Sequence, residues 1–435
     1  MENTREIVLD ALLAHEKEGI YSNLLIAGVL EKYNYLDQRD KAFIKRLFEG
    51  TLEDGIRLDY YLDRVSSVPV RKMKPLIRNV MRMSAYQILS MDQVPDSAAV
   101  NEAVRLVRKR KFTNLSGFVN GVLRSLSRQK DSISLPDYEK DPVKAVSVKD
   151  SVPEWIVRLW TDAYGPNRTE RICDALKEIH PVSIRLKSTL DENEKAALLD
   201  RIEKAGVILK ENPLLSGIYL AEHIDGIASL PGYEEGAFTV QDASSALAVC
   251  SAGIRSGDKV LDACAAPGGK SILAAELAGP EGEVLARDLI PEKTERIREN
   301  ADRMRAQNLK VQAWDATVHD IDHEDWADVL MLDVPCSGLG ILGKKRDIKY
   351  RVKPEDFDEL TALQRKILEN CWNYVKPGGR MLYSTCTINR KENEDQVRWI
   401  LENLPFEQVG ESRQLLPGED PCDGFFFAVF RRKMD

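Results

Sequence analysis

From residue 236 onward the chain alternates short apolar runs with amphipathic stretches, and this rhythm constrains the fold more than any other feature. KVLDA, GEVLARD, LKVQAWD, DVLMLDV and GRMLYST read as strands, separated by helical stretches over Ser271–Leu277, Pro291–Arg305, Pro354–Tyr374 and Lys391–Leu401. Strands that are apolar along their whole length are buried on both faces, which requires a mostly parallel sheet covered by helices. FEQV and FFFAVFRR offer an antiparallel pair at the end of the chain. In such sheets ligands bind beyond the carboxyl ends of the strands, so those ends are where chemistry is to be sought.

The remainder is organised differently. A chain of 435 residues has room for two to four domains. REIVLDALLAHEK, YSNLLIAGVLEKY, QRDKAFIKRLFEGTLE, Asn101–Arg110 and Ser116–Leu126 place apolar residues three and four apart, and Pro69, Pro75 and Pro95 sit at expected helix boundaries. An all-helical bundle is expected over 1–130. Residues 131–150, polar and aperiodic, read as a linker. Helices around 153–163 and 168–179, a strand in PVSIRLKS, a helix over 192–205 and a strand in GVILKE make a small α+β module over 151–235. The last domain spans 236–435.

A net charge of −8 argues against a nucleic-acid partner, but it averages over a split. Residues 1–130 hold 22 Lys and Arg against 16 Asp and Glu, a net of +6; the rest holds 40 against 54, a net of −14. Opposite charge in two parts of a chain is either surface drift or a sign of different partners. The most basic run, Arg105, Arg108, Lys109, Arg110 and Lys111, with Arg124 and Arg128 nearby, is either a solvated helix face or a phosphate-binding patch. No stretch approaches a membrane span and MENTREIVLD is not a signal peptide, so a cytoplasmic protein without a membrane partner is expected. Seven scattered cysteines, with no Cys-x-x-Cys pair, give neither a disulfide framework nor a metal site.

The first strand end is followed by Cys264-Ala265-Ala266-Pro267-Gly268-Gly269-Lys270 and then a helix. Small residues let a cofactor approach the backbone, and the helix N-terminus favours a carboxylate. A phosphate-binding P-loop would need Gly at 264, and the dinucleotide pattern G-x-G-x-x-G is absent. A cofactor with a carboxylate and no phosphates fits, S-adenosylmethionine among them; a purely structural turn would look similar. Asp288, Asp315 and Asp333 close the next three strands. Each alone is an ordinary turn former, but together, beside the glycine loop, they point to an adenosyl pocket.

Cys336, in Asp333-Val334-Pro335-Cys336-Ser337-Gly338, and Cys386, in Ser384-Thr385-Cys386-Thr387, both lie at that edge. Asn389 with Glu392 looks like a capping pair opening a helix, and a helix N-terminus lowers the pKa of an adjacent thiol. Cys173, Cys250, Cys371 and Cys422 read as small buried hydrophobes. A thiolate beside a methyl donor suits one chemistry in particular. Pyrimidine C5 is a poor nucleophile until a thiolate adds to C6, which makes it enamine-like.

CAAPGGK, DVPCSGLG and STCTI resemble the signatures of the RNA cytosine-5 methyltransferases, and the whole chain is similar to the bacterial RsmB/Sun (Fmu) family. FTVQDASSALAV (238–249) resembles that family's segment before the cofactor motif. The resemblance implies methylation of cytosine 967 in 16S ribosomal RNA. A monomer without a metal is expected, acting on RNA that is unassembled or in an early small-subunit particle. It implies a NusB-like RNA-binding domain over 1–130, an RNA-recognition-like module, and a Rossmann-like catalytic domain. Carried over by position, it assigns Cys264, Ala265, Ala266, Pro267, Gly268, Gly269, Lys270, Asp288, Asp315 and Asp333 to S-adenosylmethionine. Cys386 becomes the nucleophile, Cys336 assists product release, and Asp333 also bonds the cytosine edge. The base that takes the C5 proton is not identified. Two departures are visible: Val334 where the family often has Ala, and GKKRDIKYR (343–351) in place of an Arg-Arg-x-Pro-Asp form, with Arg346 at the proline. Lys344, Lys345, Arg346 and Lys349 still offer cations to RNA phosphate. Transfer RNA as substrate, or a non-catalytic RNA-binding or antitermination factor, are the alternatives; a pure binder has no need of the cysteine pair or the cofactor loop.

Overall fold

The computed structural model describes residues 3–178, 181–224 and 226–434. Ile179, expected to end a helix, lies outside them. The chain divides into two compact units: Met1–Lys177 with Leu342–Arg351, and Glu178–Ile341 with Val352–Asp435. No helix among the described residues is long and apolar enough to cross a membrane.

The first unit is helical. Helices run over Thr4–Glu18, Ser22–Lys32, Gln38–Glu53, Gly55–Val65, Pro75–Ser90, Asp96–Lys109 and Ser116–Gln129. Pro75 is the first residue of its helix and Pro95 caps the next, where a missing N–H costs nothing. The apolar stripes meet in one core that includes Leu9, Leu47, Phe48, Val80 and Leu123. The basic run is largely answered within this unit: Arg105 pairs with Glu102, Lys109 with Glu6, and Arg110 with Glu6 and Asp10. Arg108 and Lys111 are exposed.

Two expectations fail in this unit. The linker expected over 131–150 contains the helix Pro142–Asp150, begun by the Asp141 carboxylate accepting from the Lys144 N–H and by Pro142 at its first turn. Its neighbours Glu154–Tyr164 and Pro166–Lys177 complete the helical unit rather than a separate α+β module. Polar composition hid the helix because only Ala145, Val146 and Val148 carry its apolar burial.

The basic segment 343–351 also departs from expectation. Arg346 pairs with Glu49 and Glu53, and Lys349, only 5% exposed, donates to the Glu53 carbonyl at 2.7 Å. Asp347 accepts from the Ser22 N–H and hydroxyl at 3.2 and 2.7 Å and pairs with Arg351. Arg346 and Lys349 are therefore committed to carboxylates and a carbonyl of the helical unit instead of being offered to phosphate.

The second unit holds two sheets. β1 (Val182–Leu186), β2 (Ile208–Glu211), β3 (Ile218–Glu222) and β4 (Phe238–Val240) form an antiparallel sheet in the order β2-β3-β1-β4. β3 and β4 were not visible as strands in the sequence, being short and little alternating. The sheet is tied to the rest of the unit by a buried ion pair, Arg185 to Glu276 at 2.7 Å, with Ser188 donating to the same carboxylate.

The larger sheet comprises β5 (Lys259–Asp262), β6 (Glu283–Asp288), β7 (Leu309–Ala313), β8 (Ala327–Asp333), β9 (Val375–Thr385), β10 (Phe406–Gln408), β11 (Arg413–Leu415) and β12 (Phe425–Arg432). Its order is β10-β12-β9-β8-β5-β6-β7, with β11 also on β12. β7, β6, β5, β8 and β9 run parallel; β12 is antiparallel to β9. The interior strands are buried on both faces while the edge strand β7 is partly exposed, which explains their apolar and mixed compositions respectively. The chain proceeds outward from β5 through β6 to β7, then returns to β8 on the other side of β5. That reversal opens a crevice beyond the carboxyl ends of β5 and β8, where the singled-out residues converge.

Candidate active site

The loop after β5 carries Cys264 to Lys270. The Ala265 N–H donates to the Arg287 carbonyl at 2.8 Å, and Gly268 caps the helix Gly269–Ala278 with φ +103°. The backbone conformation there favours glycine, and a Cβ on Gly268 would stand 3.1 Å from Ile297 Cγ2, close enough that Ile297 would have to give way. Burial pushes the Cys264 thiol well above its ordinary range and leaves it a packing group rather than a nucleophile.

Asp288, at the end of β6, accepts from the Ala266 N–H at 3.2 Å and from the Ile290 N–H at 3.3 Å. It thus braces the glycine loop from the neighbouring strand. Asp315, two residues beyond β7, accepts from both the N–H and the hydroxyl of Thr317 at 2.8 Å, and these bonds hold its carboxyl below the usual range. These bonds make a local turn and commit half the lone pairs of Asp315. Asp262, at the end of β5, is buried and bonded to the Ser271 hydroxyl at 2.6 Å; burial pushes its carboxyl up to about 6.

Asp333, at the end of β8, accepts from Lys270 Nζ at 2.7 Å and from the Ser384 hydroxyl at 2.8 Å. Burial opposes the Lys270 charge, but Asp333 outweighs it and the pKa is raised. The cofactor loop, the β8 end and the β9 end are joined through this one carboxylate. Cys336 and Cys386 stand beside it, their Sγ atoms 3.3 Å apart. That is too long for a bond and close enough for one thiol to donate to the other. The bond to Cys386, then burial, then the charges of Glu392 and Asp333 raise the Cys336 pKa well above its ordinary value. Cys336 therefore keeps its proton, contrary to the lowered pKa expected beside a helix N-terminus. No α-helix starts at either sulfur; the helix after β9 begins at Glu394.

Asn389 and Glu392 do not cap that helix. Asn389 Nδ2 donates to Glu392 Oε1 at 2.8 Å in the turn before it, and Glu392 lies wholly buried behind the thiols. Sequence reasoning missed Glu392 as a site residue, because a Glu within KENEDQ reads as solvated. Its spacing of six from Cys386, at a strand end turning inward, was the available signal. Of the other cysteines, Cys173 and Cys371 are buried as expected, whereas Cys250 is exposed and Cys422 partly so.

The residues present fit a cofactor bearing a carboxylate and an adenosyl group: a tight loop of small residues turning at Gly268, a helix N-terminus, and a strand-end carboxylate at Asp288. Residues 252–431 match the family model described as 16S rRNA methyltransferase RsmB/F, and residues 2–128 match the NusB family. The chain is 35% identical to a probable ribosomal RNA small subunit methyltransferase B of Bacillus subtilis, covering 99% of both chains. It is 31% identical to the ribosomal RNA small subunit methyltransferase B of Salmonella paratyphi C, over 91% of both. The crystal structure of PH0851 has the same fold, with a TM-score of 0.81 at 23% identity over 99% of each chain.

Proposed function

Because the chain belongs to the RsmB family of small-subunit ribosomal RNA methyltransferases, which use S-adenosylmethionine, we propose that it methylates C5 of a cytosine in 16S ribosomal RNA through a covalent Cys386–C6 intermediate. The observation that carries this reading is the pair of sulfurs 3.3 Å apart beside the Asp333–Lys270 ion pair at the sheet's carboxyl edge. A methyltransferase acting on oxygen or nitrogen needs neither thiol.

Cys264 to Lys270, Asp288, Asp315 and Asp333 would hold the cofactor, which would supply an electrophilic methyl group. The Cys386 sulfur forms a bond to C6 of the target base, and the displaced π electrons make C5 the nucleophile. Asp333 holds the ring edge, and Lys270 keeps that carboxylate in place. After methylation the C5 proton leaves to a water or another basic group as the Cys386–C6 bond breaks and its electrons return to sulfur. Cys336, held as a thiol, cannot take that proton and supports release by donating to the departing Cys386 sulfur. The base must leave its stack for its C6 face to meet sulfur.

The helical unit with its NusB-like residues 1–130 serves RNA capture, through exposed cations such as Arg108 and Lys111. We place the enzyme in the cytoplasm, acting as a monomer without a metal on unassembled or early small-subunit RNA, with position 967 as the implied target. The test is incubation with labelled S-adenosylmethionine and a 16S ribosomal RNA transcript, followed by digestion to nucleosides. Label in 5-methylcytidine supports the reading; label in any other nucleoside, or only with transfer RNA, overturns it.

A further inference from the structure

Behind the two thiols lies a carboxylate that no step of the proposed reaction uses. Glu392 is 0% exposed, yet both its oxygens are satisfied. It accepts from the Ser337 N–H at 2.9 Å, the Ser337 hydroxyl at 2.5 Å, Asn389 Nδ2 at 2.8 Å and Gln364 Nε2 at 3.1 Å. Its own carbonyl takes the Tyr383 hydroxyl at 2.7 Å. Burying a carboxylate is costly unless such donors replace its water, so the arrangement is a built one.

The bonds fall on the residues that flank the sulfurs. Ser337 directly follows Cys336, and Gln364, besides meeting Glu392, donates to the carbonyl of Pro335 at 3.0 Å, directly before it. Thr387 directly follows Cys386; its hydroxyl meets that of Ser337 at 2.7 Å and accepts the Leu339 N–H at 3.3 Å. The Gly340 N–H donates to the Cys386 carbonyl at 3.1 Å. One buried side chain thus gathers both sides of the Cys336 loop and, through Ser337 and Thr387, the end of β9.

We propose that Glu392 is the positioning residue of the two-thiol centre, fixing Cys336 against Cys386 at the separation that product release requires. This rests on the proposed roles of the two cysteines. A glutamine in its place would turn an NH₂ toward at least one donor. The glutamine keeps its oxygen on the Ser337 N–H only by turning its NH₂ toward the Ser337 hydroxyl and Asn389 Nδ2, which removes two charge-assisted bonds and loosens the Cys336 loop. A displacement on the order of 1 Å at a reacting group costs about 100-fold in rate.

The full-length E392Q, C336A and wild-type chains are each mixed with S-adenosylmethionine and a 16S ribosomal RNA transcript, and the covalent RNA–protein adduct is resolved on a denaturing gel. E392Q is expected to accumulate adduct as C336A does, with kcat down about 100-fold, KM for RNA unchanged and cofactor affinity within about twofold of wild type. A purely structural Glu392 would weaken folding and cofactor binding together and leave the adduct fraction of folded enzyme at the wild-type level; that result overturns the inference. If C336A traps adduct and E392Q does not, the positioning role alone falls. If neither does, the thiol reading falls with it. Should E392Q not fold, S337A, which removes the hydroxyl's bonds to Glu392 and Thr387 and keeps the N–H bond, decides: raised adduct supports the role and a wild-type level refutes it.

Discussion

Asp150 ends the helix Pro142–Asp150 only 3% exposed, and its Oδ2 is buried without a hydrogen-bond partner among the described residues. Burial, reinforced by Asp174 and opposed by Lys149 and Lys177, pushes its carboxyl from 3.8 up to about 7. In the unfolded chain this group ionises near its ordinary value, so between pH 4 and 7 the folded state binds the extra proton. The contribution of this group to stability is then greatest below pH 4 and falls as pH rises to 7. Three pH units at about 1.4 kcal/mol each give about 4 kcal/mol at pH 8. Asp150→Asn removes the titration while keeping the shape. Urea denaturation followed by helical circular dichroism is expected to show the variant more stable than wild type by up to about 4 kcal/mol at pH 8, and equal near pH 4. A variant less stable at pH 8 would refute the reasoning: it would mean that Lys149 and Lys177 hold an ionised carboxylate and that pairing, not burial, decides this site.

Three further substitutions probe the site and the segment 342–351. Cys386→Ser should abolish methylation and leave cofactor affinity within about twofold, measured by calorimetry; near-normal turnover would remove Cys386 as nucleophile. Gly268→Val puts a branched side chain at φ +103° and 3.1 Å from Ile297, and should weaken cofactor binding by tenfold or more, about 1.4 kcal/mol; unchanged binding would show that the loop does not form the pocket. Asp347→Ala strips the acceptor from Ser22 and Arg351 and should cost about 3 kcal/mol in urea denaturation of the helical unit; a loss below about 0.5 kcal/mol would show that the buried carboxylate contributes nothing net.

The parallel sheet was legible because burial on both faces leaves runs of apolar residues, as in Val329–Leu332 of β8, and because the glycine loop and the acidic residues stand at strand ends. Both cysteines could be placed at the functional edge for the same reason. What stayed hidden depends on partners distant in sequence. Glu392 is indistinguishable from its solvated neighbours until Ser337 and Gln364, 55 and 28 residues away, close over it. Arg346 and Lys349 read as cations for phosphate until Glu49 and Glu53, nearly 300 residues earlier, are seen against them. Helix 142–150 escaped because its apolar face is short and its start, Asp-Pro, is equally a turn signal. The thiol separation itself depends on a register between two loops that no local pattern encodes.

The measurement that bears most directly on the central claim is bisulfite sequencing of 16S ribosomal RNA from cells lacking the gene, complemented with the wild-type or the Cys386→Ser chain. A single methylated cytosine lost on deletion, restored by the wild type and not by Cys386→Ser, is the predicted result. An unchanged methylation pattern, a loss confined to transfer RNA, or restoration by Cys386→Ser would contradict it.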